Sequence, residues 1–535
     1  MSLAIIDDEA GVPLARLRDG FSFAQFCDEK GNVNPASAHE KLVWQLASVL
    51  FDHVNVPKEL EQYPGAIDRL RKDNLSAFWQ KLVEQTASQQ VSMARTAEEK
   101  AIAALSGHRV ADACGHLVGG KNFHLATLVA QIGGKESIRA DMREQLEEWQ
   151  KSRMLSEFSQ PIRTIYELLA GNVCVCDGSK GAPIEDRIDS FSISKRFGLD
   201  WRQAFGLRLW YGTIAREELD NAVHKFAQDL AQDLEPARPH AWYVEQRIPT
   251  LWEDEDLADR EDLLWGLLRL YAFQDSDLEA IIRPENSQLS PLDTRLSWQL
   301  SRALTATGGI NYAIDSDDKA DQATLSFASQ LNNEGSWLEA VFVLLHLSSP
   351  TARAKSVQNH LAQHAGRIGS EESETFATLV QDFKIPAPWI WEAKALYMRS
   401  VRKDPQAEVQ CLIRAGSYDE AHRTFATDVA PRSIVEADYD TLRALLEGFR
   451  GRENAIPEWR RGGEIYQDFL QLLDDTKKGG PGPDRAVLER LLVGLPAAVA
   501  ARQAGFMETV AVETMSGVVA KTVVALRKSG EVCFV

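Results

Sequence analysis

The 535-residue sequence predicts an all-α fold, an irregular solenoid of stacked helical pairs. Three observations carry this. First, one short junction occurs twice, as Gly335-Ser336-Trp337-Leu338-Glu339-Ala340 and as Gly416-Ser417-Tyr418-Asp419-Glu420-Ala421. Gly suits the first position because it closes a helix in the left-handed conformation without a Cβ clash. The Ala lets neighbouring helices approach, and the spacing of 81 residues is close to two helix-pair repeats of about 40 each. Looser versions stand at 107–113 and 120–126. Second, helix-period apolar patterns run almost without a break from Ala38 onward. Third, strand signals are scarce and confined to 3–6, 12–14 and 21–23; so few strands need something else to complete their sheet.

The elements follow in order. Ser37 and Glu40 have the spacing of a capping box before the apolar face Leu42, Leu46, Val49 and Leu50. Helices are expected at 66–85, 97–105, 110–118, 123–132 and 136–151, and Pro161 in a first turn opens 162–170. The turn-rich stretch 171–198 reads as a loop, with at most a short helix at 186–191. Helices resume at 201–211 and 215–234, and Pro236, Pro239 and Pro249 then punctuate an irregular connection. Further helices are expected at 261–273, 292–304, 320–331, 337–347, 352–363, 389–401, 407–415, 418–427, 434–448 and 459–473. Gly479–Pro483 is a loop, and a final helical region runs over 485–526.

A chain of this length exceeds one ordinary core, which rarely passes roughly 250–300 residues, so it divides into domains or grows by layers. The net charge of −19 argues against direct duplex or anionic-membrane binding, which depends on Lys and Arg. The six cysteines are dilute and unpatterned, which favours a reducing compartment, cytosol or nucleus. The longest apolar stretch is taken to be 337–347, far short of the roughly 20 residues of a membrane span.

The search for chemistry assigns no catalytic, cofactor-binding or metal-ligating residue. Gly133-Gly134-Lys135-Glu136 lacks the first Gly of a phosphate loop and puts a carboxylate where Ser or Thr would hold magnesium. Cys174 and Cys176 have no second pair to complete a zinc site. His360 and His364 share a helix face without a third ligand, and His108, His116 and His124 read as capping or packing residues. The acidic run 253–256 reads as a solvated loop or helix start.

The segment Asp200-Trp201-Arg202-Gln203-Ala204-Phe205-Gly206-Leu207-Arg208-Leu209-Trp210-Tyr211 is the most distinctive in the chain. Taken with 101–108 and 125–131, it resembles the Y-complex scaffold nucleoporin made as the carboxy-terminal half of the self-cleaving GLFG nucleoporin precursor, in a fungal-like form. The resemblance runs from about Gly20 onward. It implies the ancestral coatomer element fold, a solenoid folded back on itself. Under it, residues 1–35 form an N-terminal segment, 36–105 an ascending trunk, 106–289 a crown, 290–400 a descending trunk and 401–535 a helical tail. It also implies a structural role at the nuclear envelope, in the nuclear pore complex, with no catalysis and no membrane span. The implied partners are a Sec-thirteen-type propeller completed by N-terminal strands, a neighbouring stem nucleoporin at the crown, and arm nucleoporins at the tail. Val12, Leu14, Phe21 and Phe23 are the residues expected on the donated strands. Trp201, Trp210 and Tyr211 are the crown candidates for partner contact, with core packing as their alternative role. Two other functions compete: a COPII-like vesicle-coat or ER-exit-site scaffold, and a helical enzyme or regulatory subunit.

Overall fold

A computed structural model describes residues 3–27, 34–59, 62–63, 65–179, 183, 187–214, 217–273, 275–308, 310–312, 316–478, 484–501 and 505–529. Among the described residues the chain is all-α apart from two two-stranded sheets. It forms two compact units: Leu17–Gln330, and Met1–Arg16 together with Leu331–Val535. Both repeated junctions, at Gly335 and Gly416, therefore lie in the same unit. The expected loop 479–483 lies outside the described residues.

The unit Leu17–Gln330 is built from helices that include Pro35–Phe51, Ala66–Met93, Ala97–Leu105, Val110–Gly119, Phe123–Val129, Glu136–Lys151, Gln160–Ala170, Trp201–Leu207, Asp220–Ala231, Leu263–Ala272 and Arg295–Ala306. The first starts earlier than the capping-box reading placed it. Its cap is Asn34, whose Oδ1 accepts from the Ser37 N–H at 2.7 Å. Pro35 follows in the first turn, where a missing N–H costs nothing. Glu40, freed from capping, instead pairs with Arg295 at 2.6 Å. Within the expected loop 171–198, Val175–Cys176 pairs antiparallel with Phe191–Ser192. Two residues per strand are too few to leave a periodic signal. The core of this unit is aromatic, with Trp44, Trp79, Trp201, Phe205, Phe226 and Trp265 all buried in one cluster.

The other unit holds a hairpin, β1 (Ala4–Glu9) and β2 (Val12–Leu17), turned at Ala10-Gly11 with both residues at positive φ. Its helices include Trp337–Leu344, Pro350–His364, Ala387–Tyr397, Pro405–Ala415, Tyr418–Thr424, Ala430–Glu436, Tyr439–Gly448, Gly463–Lys478, Arg485–Ala501 and Phe506–Ser529. The expected helical region 485–526 is thus two helices. The second corrects the reading of 337–347 as the longest apolar stretch. Over Phe506–Arg527 it runs 22 residues at mean hydropathy 1.4, long and apolar enough to cross a membrane by length and composition. Here one face of it is packed, with Ala511, Met515, Val519 and Leu526 buried.

The repeated junction closes each helix in one way. At Gly416 (φ +81°) the glycine N–H donates to the Ile413 carbonyl at 3.1 Å, and the Ser417 N–H to Leu412 at 3.0 Å. At Gly335 (φ +89°) the equivalent bonds run to Asn332 at 3.1 Å and from Ser336 to Leu331 at 2.9 Å. This is the Schellman pattern, which satisfies the last free carbonyls of a helix. Ala340 and Ala421 are fully buried, as their small size suggested. The looser versions differ in mechanism. There the left-handed residues are His108 (φ +56°) and Lys121 (φ +65°), one position after each glycine. Gly107 and Gly120 serve close packing instead: an added Cβ would stand 2.8 Å from the Ala87 Cβ and 2.4 Å from the Ala97 Cβ.

Among the described residues four α-helices widen at their C-terminal ends into a π-turn, at Arg208–Gly212, Thr378–Asp382, Met398–Arg402 and Phe425–Val429.

Candidate functional site

The N-terminal segment divides into two parts with different attachments. The hairpin is held by the unit that contains Leu331–Val535. The Ala15 N–H donates to the Leu345 carbonyl at 3.0 Å, and Lys384 Nζ donates to the Ile6 carbonyl. Arg353, fully buried on the helix Pro350–His364, donates from Nη2 to Glu9 at 2.6 Å. Leu14 and Ala15 are buried on β2, and Val12 is half-buried. Val12 and Leu14 therefore do lie on a strand.

Phe21 and Phe23 do not. Phe23–Phe26 is a single turn of 3-10 helix, because Asp52 gathers the segment. Its Oδ1 accepts from the Phe23 N–H at 2.9 Å, and its Oδ2 accepts from the Ser22 and Ser48 hydroxyls, both at 2.6 Å. Phe23 is buried beside Trp44 and Phe51, with ring centroids at 6.4 and 5.9 Å, and Phe26 stacks on Trp44 at 4.6 Å. Phe21 packs half-buried against Phe23. The expectation that Phe21 and Phe23 belong to a donated strand is corrected. They seal the aromatic core beside the C-terminal half of the helix Pro35–Phe51.

Trp201, Trp210 and Tyr211 are also core residues, and the reading of them as contact residues gives way to the packing one. Trp201 packs edge-on against Trp79 at 5.9 Å. Trp210 stacks on His108 at 4.8 Å and donates from Nε1 to Ser76 at 2.9 Å. The Tyr211 hydroxyl donates to the Leu105 carbonyl at 3.2 Å. Their helix starts at the capping box Asp200/Gln203 and ends in a π-turn, whose first residue, Arg208, is fully buried between Asp229 (2.6 Å) and Glu235 (3.0 Å). One end of the Gln203 side chain reaches Gln90 and Ser106, which ties this helix to Ala66–Met93 and Ala97–Leu105. The distinctive sequence segment is distinctive because it sits at the centre of this core.

Titratable groups that could do chemistry are engaged in the fold. His360 Nε2 lies 2.9 Å from the Trp337 carbonyl and His364 Nε2 lies 2.6 Å from Asn332 Oδ1, so the pair staples the junction at Gly335. Trp337 stacks on His364 at 5.3 Å. Burial pushes the Cys174 and Cys176 thiols up to about 12, which leaves them protonated and weakly nucleophilic. Among the described residues no group of three His, Cys, Asp or Glu is placed to hold a metal. In the acidic run, Asp254 is buried against Arg260 (2.8 Å), whose hydrogen bonds hold its carboxyl below the usual range. A cleft of about 600 Å³ beside Glu136–Lys151 is lined by Arg139, Arg143 and Lys225. Each of these cations donates to a backbone carbonyl, respectively Thr213 (2.8 Å), Ala170 (3.0 Å) and Gly212 (2.7 Å). They close helix ends rather than face the cleft as free charges.

Arg353, Lys384 and Asp52 organise the N-terminal segment, and sequence reading missed all three. Arg353 and Glu9 are 344 residues apart, so no local pattern links them. Asp52 was the more legible, as an acidic residue directly after a helix that ends in Phe51.

The model of the Nup96 family, "Nuclear protein 96", matches residues 99–397, more than half of the chain. The chain belongs to the Nup96 family. The match covers Trp201, Trp210 and Tyr211 themselves and agrees with the resemblance drawn from that segment. Among curated relatives, the nucleoporin NUP145 of Chaetomium thermophilum is 40% identical over 79% of this chain. The nucleoporin nup189 of Schizosaccharomyces pombe is 32% identical over 82%, and the nuclear pore complex protein Nup98-Nup96 of Drosophila melanogaster is 27% identical over 80%. The chain spans only 21%, 24% and 21% of these relatives' lengths. Nup96 family membership places it with the proteins of the nuclear pore complex, at the nuclear envelope.

Proposed function

We propose that the chain is a scaffold subunit of the Y-shaped subcomplex of the nuclear pore, acting by binding other nucleoporins. The Nup96 match over 99–397 carries this reading, because it falls on a helical core whose ionisable groups serve packing and capping. The partners are a Sec-thirteen-type propeller at the N-terminal strands, a neighbouring stem nucleoporin at the crown (106–289) and arm nucleoporins at the tail (401–535). For the propeller the recognition mode is strand addition, in which backbone bonds to an open sheet edge supply affinity. The hairpin β1–β2 supports that part of the reading, since it gives the N-terminal segment an extended backbone.

Co-purification with each partner tests the proposal. Removing 1–16 is expected to abolish propeller binding alone, and it spares Phe23 in the helical core. Truncation from Asp404 is expected to abolish hub binding alone. Failure of the full chain to co-elute with both the propeller and the stem nucleoporin overturns it.

A further inference from the structure

We infer that Ser349 is a phosphorylation site, and that phosphate there loosens the N-terminal hairpin by competing for Arg353. Ser349 is exposed, has an extended backbone (φ −76°, ψ 123°) and is followed by Pro350. An extended, accessible Ser-Pro step is what a proline-directed protein kinase requires of its substrate. Ser349 is also the N-cap of the 15-residue helix Pro350–His364, whose first turn carries no acidic residue. Its Oγ accepts from the Ala352 N–H at 3.5 Å, and a dianion is favoured there by that N–H and the helix dipole.

A second, independent observation points to an anion at this place. Arg353 is fully buried, and its Nε has no hydrogen-bond partner. Its Nη1 curls back to the Leu347 carbonyl at 2.5 Å and the Ser348 carbonyl at 3.2 Å, the two residues just before Ser349. Its Nη2 is bonded to Glu9, a half-exposed carboxylate on the hairpin. The guanidinium thus borders the modified residue, has an unused donor, and holds a ligand weaker than phosphate. Phosphate carries more charge than a carboxylate and three acceptor oxygens, so it takes the shared guanidinium and repels Glu9.

In the modification, Ser349 Oγ attacks the γ-phosphorus of a nucleoside triphosphate. The Oγ–P bond forms, the bond from phosphorus to the β-phosphate oxygen breaks, the hydroxyl proton passes to the kinase's base, and the nucleoside diphosphate leaves. The hairpin then keeps its backbone bond to Leu345 and its contact with Lys384 but loses its ion pair.

The test treats the full chain with a proline-directed kinase and ATP, maps phosphate by mass spectrometry, and follows amide hydrogen exchange over 4–17. Modification is expected at Ser349, with exchange in the hairpin faster by about fivefold, as loss of a half-exposed ion pair implies. Ser349→Ala treated in the same way should show no change in the hairpin. Glu9→Gln should exchange faster before treatment and gain nothing from it. No phosphate at Ser349, unchanged exchange on modification, or an equal gain in Glu9→Gln would each overturn the inference.

Discussion

Gly107 and Gly120 stand at turns that look like those of Gly335 and Gly416, yet the glycine answers a different demand in each pair. At 335 and 416 it supplies a positive φ, with open space around it. At 120 it supplies room against Ala97. Gly335→Ala is expected to cost about 1–2 kcal/mol through left-handed strain, and Gly120→Ala about 1–3 kcal/mol through overpacking. Denaturant midpoints separate the two causes: adding Ala97→Gly should recover most of the loss at 120 and none at 335. A second residue-scale prediction concerns the cluster in which Arg202 is shared by Glu245 (2.7 Å) and the fully buried Asp262 (2.6 Å). Burial pushes the Glu245 carboxyl up to about 7, with Arg202 offsetting only part of that. Its folded pKa lies above the ordinary value near 4.5, so the native state holds this proton more tightly than the unfolded state does. The stability from this group is present below about pH 4.5 and is lost as pH rises to about 7. Relative to Glu245→Gln, the wild type should therefore lose stability across that window. A flat difference between the two chains would refute the assignment.

Among the elements, Asp52 shows how one side chain can set a segment's conformation. It collects a backbone N–H and two hydroxyls, so Asp52→Ala should release the turn at Phe23–Phe26 and cost about 1–3 kcal/mol from the donors left behind. Faster hydrogen exchange over 21–27 would report it. The helix Phe506–Ser529 makes a contrasting case, in which Ala511, Met515, Val519 and Leu526 are packed while Phe506 and Val524 stay exposed. Val519→Asp buries an unpaired carboxylate and should free this helix to limited proteolysis while the unit Leu17–Gln330 stays resistant. Much of the helical order was legible in the sequence, because Gly, Pro and apolar period are local signals. The π-turns, the two-residue strands and the Asn34 cap were not. Each depends on one or two residues whose alternatives are close in energy. The N-terminal strands were half legible: β1 and β2 have a β-like composition, whereas Phe21-Ser22-Phe23 has one too but is turned by Asp52, thirty residues away.

On the scale of the whole chain, two compact units imply more than one cooperative transition. Calorimetry is expected to give a van't Hoff enthalpy smaller than the calorimetric one, and a single two-state transition would contradict the division. The site was less legible than the fold for a reason of the same scale. Aromatic-rich segments stand out in a sequence whether they face a partner or a core. Trp201, Trp210 and Tyr211 were visible as special, but their burial follows from helices brought together from residues 66, 97 and 160 onward. Family membership was legible for that same reason, since a core segment keeps its texture.

The four π-turns have a bearing on how such chains change length. One residue inserted into an α-helix rotates everything after it by about 100°, which would swing a buried face towards solvent. A wide turn takes up the extra residue locally and leaves the flanking register intact. At Thr378–Asp382, Met398–Arg402 and Phe425–Val429 the chain therefore has three closely spaced places where insertions and deletions leave the helices still meeting. Aligned relatives are expected to differ by single residues at these points more often than within the helices they end.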